Sequence, residues 1–282
     1  MIKLLVATDL SQRSGHAVQR AAQLIRRQGG GDWTLVHVVD DEAPQDFVAE
    51  HVQRVQRLLD EQAQQLAAQT GSRPRVLVSS GEVEPIIFEA CLGMDADLLV
   101  VGSHRKTPLR DFFLGTSVER LIRSSHLPVL RVAQPAAADY RHALAALDLS
   151  PGAVHAMTSA QRLGLLDLQH CTVLHALEPF PMGMLTEAAI DHRLLETQAE
   201  EALLTLLTNL HDAGMTLPDG CVRVREGEPQ QVIAQELQEV QAELLVIATH
   251  GRKGLPRLVL GSVAGALLAE SPCDILCVPP QG

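Results

Sequence analysis

Aromatic side chains are scarce in this chain, with one Trp, one Tyr and five Phe in 282 residues. A core here has to be built from Leu, Val, Ile and Ala, as in parallel sheets covered by helices. Cysteine is also sparse: of five, only Cys273 and Cys277 lie close together. That spacing excludes a zinc-ribbon pattern and a disulfide framework and leaves reduced core thiols as the expectation. No apolar run approaches the roughly 20 residues that span a bilayer, and no basic, then apolar, then small-residue leader opens the sequence. The expectation is a cytoplasmic protein with no membrane partner. A basic surplus is missing too. The net charge is −11; through Gln134 there are 15 Lys and Arg against 16 Asp and Glu, and from Pro135 onward 8 against 18. Neither half carries the positive field that drives general nucleic-acid binding. The G-x-x-x-x-G-K-[ST] loop, a complete G-x-G-x-x-G fingerprint and the G-x-S-x-G elbow are all absent. Twelve histidines form neither an H-E-x-x-H pair nor a close Cys/His cluster, so no metal centre is expected.

What the chain does have is a repeat. Leu244–Ser262 reads LLVIATHGRKGLPRLVLGS, and Leu98–Thr116 reads LLVVGSHRKTPLRDFFLGT, with His104 over His250, Gly115 over Gly261 and Thr116 over Ser262 at an offset of 146. The same offset carries Gly81-Glu82 onto Gly227-Glu228 and Val129-Leu130 onto Ile275-Leu276. Near the start of each copy LLVATDLS pairs with LAALDLS, which sets Asp9 over Asp148. Two homologous domains follow, 1–133 and 140–282, with the Ala-rich, proline-containing residues 134–139 as linker.

Within each copy short aliphatic runs alternate with amphipathic stretches. Strands are predicted at 3–8, 33–39, 75–79, 97–102 and 128–132, and again at 142–147, 171–176, 221–225, 243–248 and 274–278. Long helices are predicted over about 46–69 and 186–212, where apolar residues such as Val48, Val52, Val55, Leu59, Ala63 and Leu66 recur at threes and fours. Ser150-Pro151 reads as a helix start with Ser as cap and Pro in the first turn. Alternating strands and helices argue for parallel sheets, doubly wound. His37, embedded in an apolar strand, reads as a satisfied core residue.

In an open α/β sheet the ligand crevice lies beyond the carboxyl ends of the strands. The loop after Ala248 fits a phosphate site there. Gly251 would let a phosphate approach the main chain, Gly261 and Ser262 would offer free N–H groups at a helix start, and Arg252, Lys253 and Arg257 add positive charge. His104 and His250 stand beside the two loops as phosphate contacts or caps, not as bases.

These residues resemble the universal stress protein family, in its tandem two-domain form, over essentially the whole chain. The resemblance implies two Rossmann-like domains of the adenine nucleotide alpha hydrolase-like kind, each a five-stranded parallel sheet in the order 3-2-1-4-5 with helices on both faces. It implies ATP as ligand, held by a G-x-x-G, nine residues, G-[S/T] motif after strand four. By this likeness the second domain's site comprises Ala146, Asp148, Ala176, Ala248, His250, Gly251, Arg252, Gly261, Ser262 and Val263. The first domain's comprises Asp9, Val38, Gly102, His104, Arg105, Gly115 and Thr116. It also implies pairing of the two final strands into an internal pseudo-dimer and allows a further homodimer.

Neither motif copy is complete. In the second, Ala248 replaces the first glycine, a mild change. In the first, Arg105 stands where Gly251 stands in the second; if that position needs a positive φ, a side chain there costs roughly 1–2 kcal/mol and fills the phosphate volume. The counter-reading is that its guanidinium replaces the lost amide contact. The expectation is a nucleotide-binding stress-response regulator that switches conformation or partners, with the second domain the main site, Mg²⁺ accompanying the phosphates, and at most weak ATP hydrolysis. The alternative is a tandem scaffold or small-ligand module whose ATP sites have decayed.

Overall fold

In the computed structural model, residues 1–103, 117–136, 138–178, 192–249 and 261–280 are described. The chain divides into two compact units, Met1–Asp139 with Pro272–Asp274, and Tyr140–Ser271 with Ile275–Gly282.

The first unit runs β1 (Lys3–Ala7), α1 (Gln12–Arg27), β2 (Asp32–Val39), α2 (Gln45–Thr70), β3 (Arg75–Ser80), α3 (Val83–Met94), β4 (Leu98–Gly102), α4 (Ser117–Ser124) and β5 (Val129–Val132). Its strands are ordered β3-β2-β1-β4-β5, and every pair given a register is parallel. The aliphatic runs become strands because both their faces are covered: Leu4, Leu5, Val6, Leu98, Leu99 and Val100 are wholly buried. Helices α1 and α2 pack on each other, and α3 packs on α4, as two layers of a doubly wound unit do. The predicted stripe of α2 is real, with Val55, Leu59, Ala63 and Leu66 buried. Gly71, at φ +72°, closes that helix. Trp33 is buried at the head of β2, and its indole N–H donates to the Ser72 carbonyl at 3.1 Å.

The second unit repeats the plan. It runs β6 (Ala143–Ala146), α5 (Pro151–Arg162), a 3₁₀ turn (Leu168–His170), β7 (Cys171–Leu177), α6 (His192–Asp212), β8 (Val222–Glu226), α7 (Pro229–Glu239), β9 (Leu244–Ala248), α8 (Ser262–Glu270) and β10 (Asp274–Val278). The order is β8-β7-β6-β9-β10. The sequence reading misses the 3₁₀ turn, and the predicted start of the long helix near residue 186 lies outside the described residues.

Gly81 and Gly227, matched in the sequence, are matched in geometry. Their φ angles are +135° and +143°, and each donates its N–H at 3.0 Å to the last residue of strand two, Val39 or Leu177. A side chain would be strained at either place, so this glycine belongs to the turn out of strand three and not to a ligand. All five cysteines are free, and burial pushes the Cys91 and Cys171 thiols up to about 12.

Candidate functional site

Parallel strands send their carboxyl ends to one side, so β1, β2 and β4 bring Asp9, Val38 and Gly102 together at the point where the strand order reverses. In the second unit β6, β7 and β9 do the same for Ala146, Asp148, Ala176 and Ala248. This reversal is where an open α/β sheet has its crevice.

Both aspartates are held by the helix start that follows them. The Asp148 carboxylate accepts the Ser150 N–H at 3.0 Å and the Ser150 hydroxyl at 2.5 Å. Ser150 sits at the N-cap of α5 without capping it through its side chain, contrary to the sequence reading, and its hydroxyl instead donates to Asp148. Pro151 occupies the first turn as expected. In the first unit Asp9 accepts the Ser11 N–H at 3.0 Å, and there Ser11 does cap its helix, accepting from the Ser14 N–H. Burial raises the Asp9 pKa, but hydrogen bonds from the Ser11 and Ser14 side chains and from the backbone outweigh it, leaving the carboxyl below its ordinary value.

The two described motif glycines differ. A methyl group at Gly102 would lie 2.8 Å from the Ser14 backbone nitrogen and 2.9 Å from the Arg13 carbonyl, so α1 starts directly on this residue. At Gly261, with φ −56°, the nearest atom of a described residue to an added methyl would be the Thr249 carbonyl oxygen at 3.7 Å. Among the described residues, none demands a glycine there. Gly261 is the N-cap of α8, which has no side-chain cap and no acidic residue in its first turn. Its own N–H, expected to be free, reaches the Thr249 carbonyl at 3.4 Å. The N–H groups of Ser262 and Val263 open the helix, where they have no intrahelical acceptor. His104, Arg105, Gly115, Thr116, His250, Gly251 and Arg252 lie outside the described residues.

Two histidines complete the strand ends. His37 Nδ1 lies 2.8 Å from the Thr8 carbonyl oxygen, and His175 Nδ1 lies 2.9 Å from that of Leu147, in each case the residue before the aspartate. His37 is thus a satisfied buried residue, as the sequence suggests. The signal missed in the sequence is that VHVV and LHAL place a histidine at the same point of both copies.

This repeated doubly wound unit, with its strand ends gathered at the reversal, defines a tandem of Rossmann-like α/β domains. The universal stress protein family matches residues 1–133 and again 139–279, and the chain belongs to that family as a two-domain member. Universal stress protein Rv1996 of Mycobacterium tuberculosis is 26% identical over 264 residues, which cover 88% of this chain and 81% of that one. Universal stress protein A homolog 1 of Coxiella burnetii is 28% identical over 144 residues, 49% of this chain and 96% of its own. Among solved structures, a functionally unknown protein, PA1789, from Pseudomonas aeruginosa covers 99% of this chain, and 92% of its own length is covered, at a TM-score of 0.69 and 21% identity. A universal stress protein from Archaeoglobus fulgidus matches 99% of this chain and 98% of its own at 0.67 and 19%. At these identities the solved structures speak for the fold. Among the described residues, no helix is long and apolar enough to cross a membrane.

Proposed function

We propose that this protein is an ATP-binding stress-response regulator whose second domain is the main nucleotide site and which acts by a change of conformation or partner. The observation that carries the reading is the contact between Gly261 and Thr249. It brings the two ends of the motif loop together at the carboxyl end of β9, beside a helix N-terminus that has no side-chain cap. In this reading Ala248, His250, Gly251, Arg252, Gly261, Ser262 and Val263 hold the phosphates, and Ala146, Asp148 and Ala176 take the ribose and base. The first domain is proposed to bind weakly through Asp9, Val38, Gly102, His104, Arg105, Gly115 and Thr116, because an arginine, Arg105, stands in the sequence where the second copy has Gly251. With 18 acidic residues against 8 basic ones from Pro135 onward, an anion is repelled at long range. Mg²⁺ is therefore proposed to accompany the phosphates, and a chelator should weaken binding.

We further propose that β5 and β10, each last in its own strand order, pair within the chain as an internal pseudo-dimer, since an uncovered edge strand is an aggregation hazard. Small-angle scattering should then report a compact particle; two separated lobes would contradict the pairing. The nucleotide reading is tested by denaturing the purified protein and analysing the supernatant by mass spectrometry. A bound adenine nucleotide at a sizeable fraction of the protein is expected. An empty supernatant, with no binding of added Mg·ATP, would leave the decayed-site scaffold as the correct reading.

A further inference from the structure

In a parallel ladder a residue of one strand donates its N–H to the residue before its partner and accepts from the residue after it. The rung centred on Val36 follows this rule, with Ala7 as its partner and the Thr8 N–H donating to the Val36 carbonyl at 2.9 Å. The next rung would be centred on Val38, and it would need the Val38 N–H on the Thr8 carbonyl and the Leu10 N–H on the Val38 carbonyl. Neither bond is formed, and both partners are engaged elsewhere. The Thr8 carbonyl takes His37 Nδ1 at 2.8 Å, and the Leu10 N–H donates to Thr8 Oγ1 at 3.1 Å, with Leu10 turned to φ +62°. Strand β1 accordingly ends at Ala7. Val39 faces β3, since its carbonyl accepts the Gly81 N–H, so the amide and carbonyl of Val38 face the opposite way, beyond the end of β1.

The second unit repeats this arrangement without the hydroxyl. Ala146 partners Leu174, and the Leu147 N–H donates to the Leu174 carbonyl at 2.9 Å. The Leu147 carbonyl, due to receive the Ala176 N–H, takes His175 Nδ1 at 2.9 Å instead. Leu177 faces β8 through its contact with the Gly227 N–H, so the main chain of Ala176 faces the end of β6. No counterpart of the Thr8 hydroxyl exists, because Leu147 holds its place. The diversion therefore rests on His175.

We infer that His175, and His37 in the first unit, are positioning residues: each occupies the carbonyl that would zip the next rung, and so leaves the amide and carbonyl of Ala176 or Val38 free as a donor–acceptor edge for the base of the ligand. This rests on the nucleotide reading above. An adjacent N–H and C=O complement a ring nitrogen beside an exocyclic amine, the pattern an aminopurine presents. A carbonyl oxygen only accepts, so Nδ1 of each histidine carries a proton.

The test uses the full chain in three forms: parent, His175→Asn, whose amide nitrogen reaches roughly where Nδ1 does, and His175→Leu, which has no donor. Site-resolved amide hydrogen exchange and calorimetry with Mg·ATP are read together. In the parent the Ala176 amide should exchange fast and be slowed by nucleotide, and His175→Asn should preserve both behaviours. In His175→Leu the released Leu147 carbonyl should capture that amide, slowing its exchange without nucleotide and weakening ATP by about tenfold, the worth of roughly one hydrogen bond. An Ala176 amide already protected in the nucleotide-free parent, or still fast in His175→Leu with parental affinity, would overturn the inference. If ATP slows exchange in none of the three while the nucleotide-free pattern holds, the nucleotide reading has failed and not the role of the histidine. Should His175→Leu not fold, ¹⁵N shifts of the parent decide, since a His175 ring protonated only at Nε2 contradicts the assignment.

Discussion

At Gly102 an added methyl would meet the backbone of α1 at 2.8–2.9 Å, and those atoms belong to a helix turn that cannot yield separately. At Gly261, among the described residues, the same methyl would touch one carbonyl oxygen at an ordinary 3.7 Å. The two motif glycines therefore separate folding from binding. Gly102→Ala should destabilise the protein by about 1–3 kcal/mol, the usual cost of overpacking. Gly261→Ala should change stability by no more than about 0.5 kcal/mol, yet it puts a methyl group where the phosphates are proposed to approach. Denaturant melts followed by Trp33 fluorescence, set beside ATP titrations, check both. A Gly261→Ala protein with parental affinity would remove the phosphate role from this residue. No single residue type in the sequence reveals this difference, since a glycine kept for packing and one kept for a ligand are written alike; only the neighbours of the missing methyl tell them apart.

At the scale of elements, the strands were legible because burial on both faces turns each into an unbroken aliphatic run, as in LLVV and LLVI. The long helix α2 was legible because one face alone is buried. The hydrogen bonds at strand ends were not. That the Ser150 hydroxyl donates to Asp148 without capping α5, and that the Thr8 carbonyl takes His37, are selections among polar partners within reach, and no periodicity records them. The same limit hid an ion cluster of the second unit. There Glu236 of α7 is 1% exposed and pairs with Arg223 and with Arg225, the latter at 3.0 Å, from β8. The offset of 146 puts Ala90, Leu77 and Ser79 in these places in the first unit, so one architecture uses both an ionic and a largely apolar solution. Glu236→Ala alone should cost roughly 1–3 kcal/mol, less than a fully buried pair because both arginines are partly exposed. Adding Arg223→Leu and Arg225→Ser should recover part of that loss, and a triple variant less stable than the single one would contradict the equivalence. Histidines add a pH dependence. Burial is the main cause that lowers His37, His142 and His155 from the ordinary 6.5. His37 also faces His51, which lowers it further, and Asp9 and the Thr8 carbonyl, which act the other way. Each histidine binds its proton more readily in the unfolded chain. Stability should thus be at its full value above about pH 6.5 and fall as the pH drops toward the folded values. Denaturant midpoints measured between pH 8 and pH 5 check this, and a midpoint that rises on acidification would contradict it.

At the scale of the molecule, the repeat was the most legible feature, because a duplicated unit writes the same fold twice and each copy checks the other. The copies also differ where function is proposed. The second carries Gly251 and an acidic surplus; the first carries Arg105 and a near-balanced charge. On the proposed function, a tandem built from two such halves would have one working nucleotide site, in the second domain. The most direct test of this account is the stoichiometry of Mg·ATP binding to the full chain by calorimetry, in the parent, in Gly251→Arg and in Arg105→Gly. The account predicts one site in the parent, none in Gly251→Arg and up to two in Arg105→Gly. Two equal sites in the parent, or undiminished binding by Gly251→Arg, would contradict it.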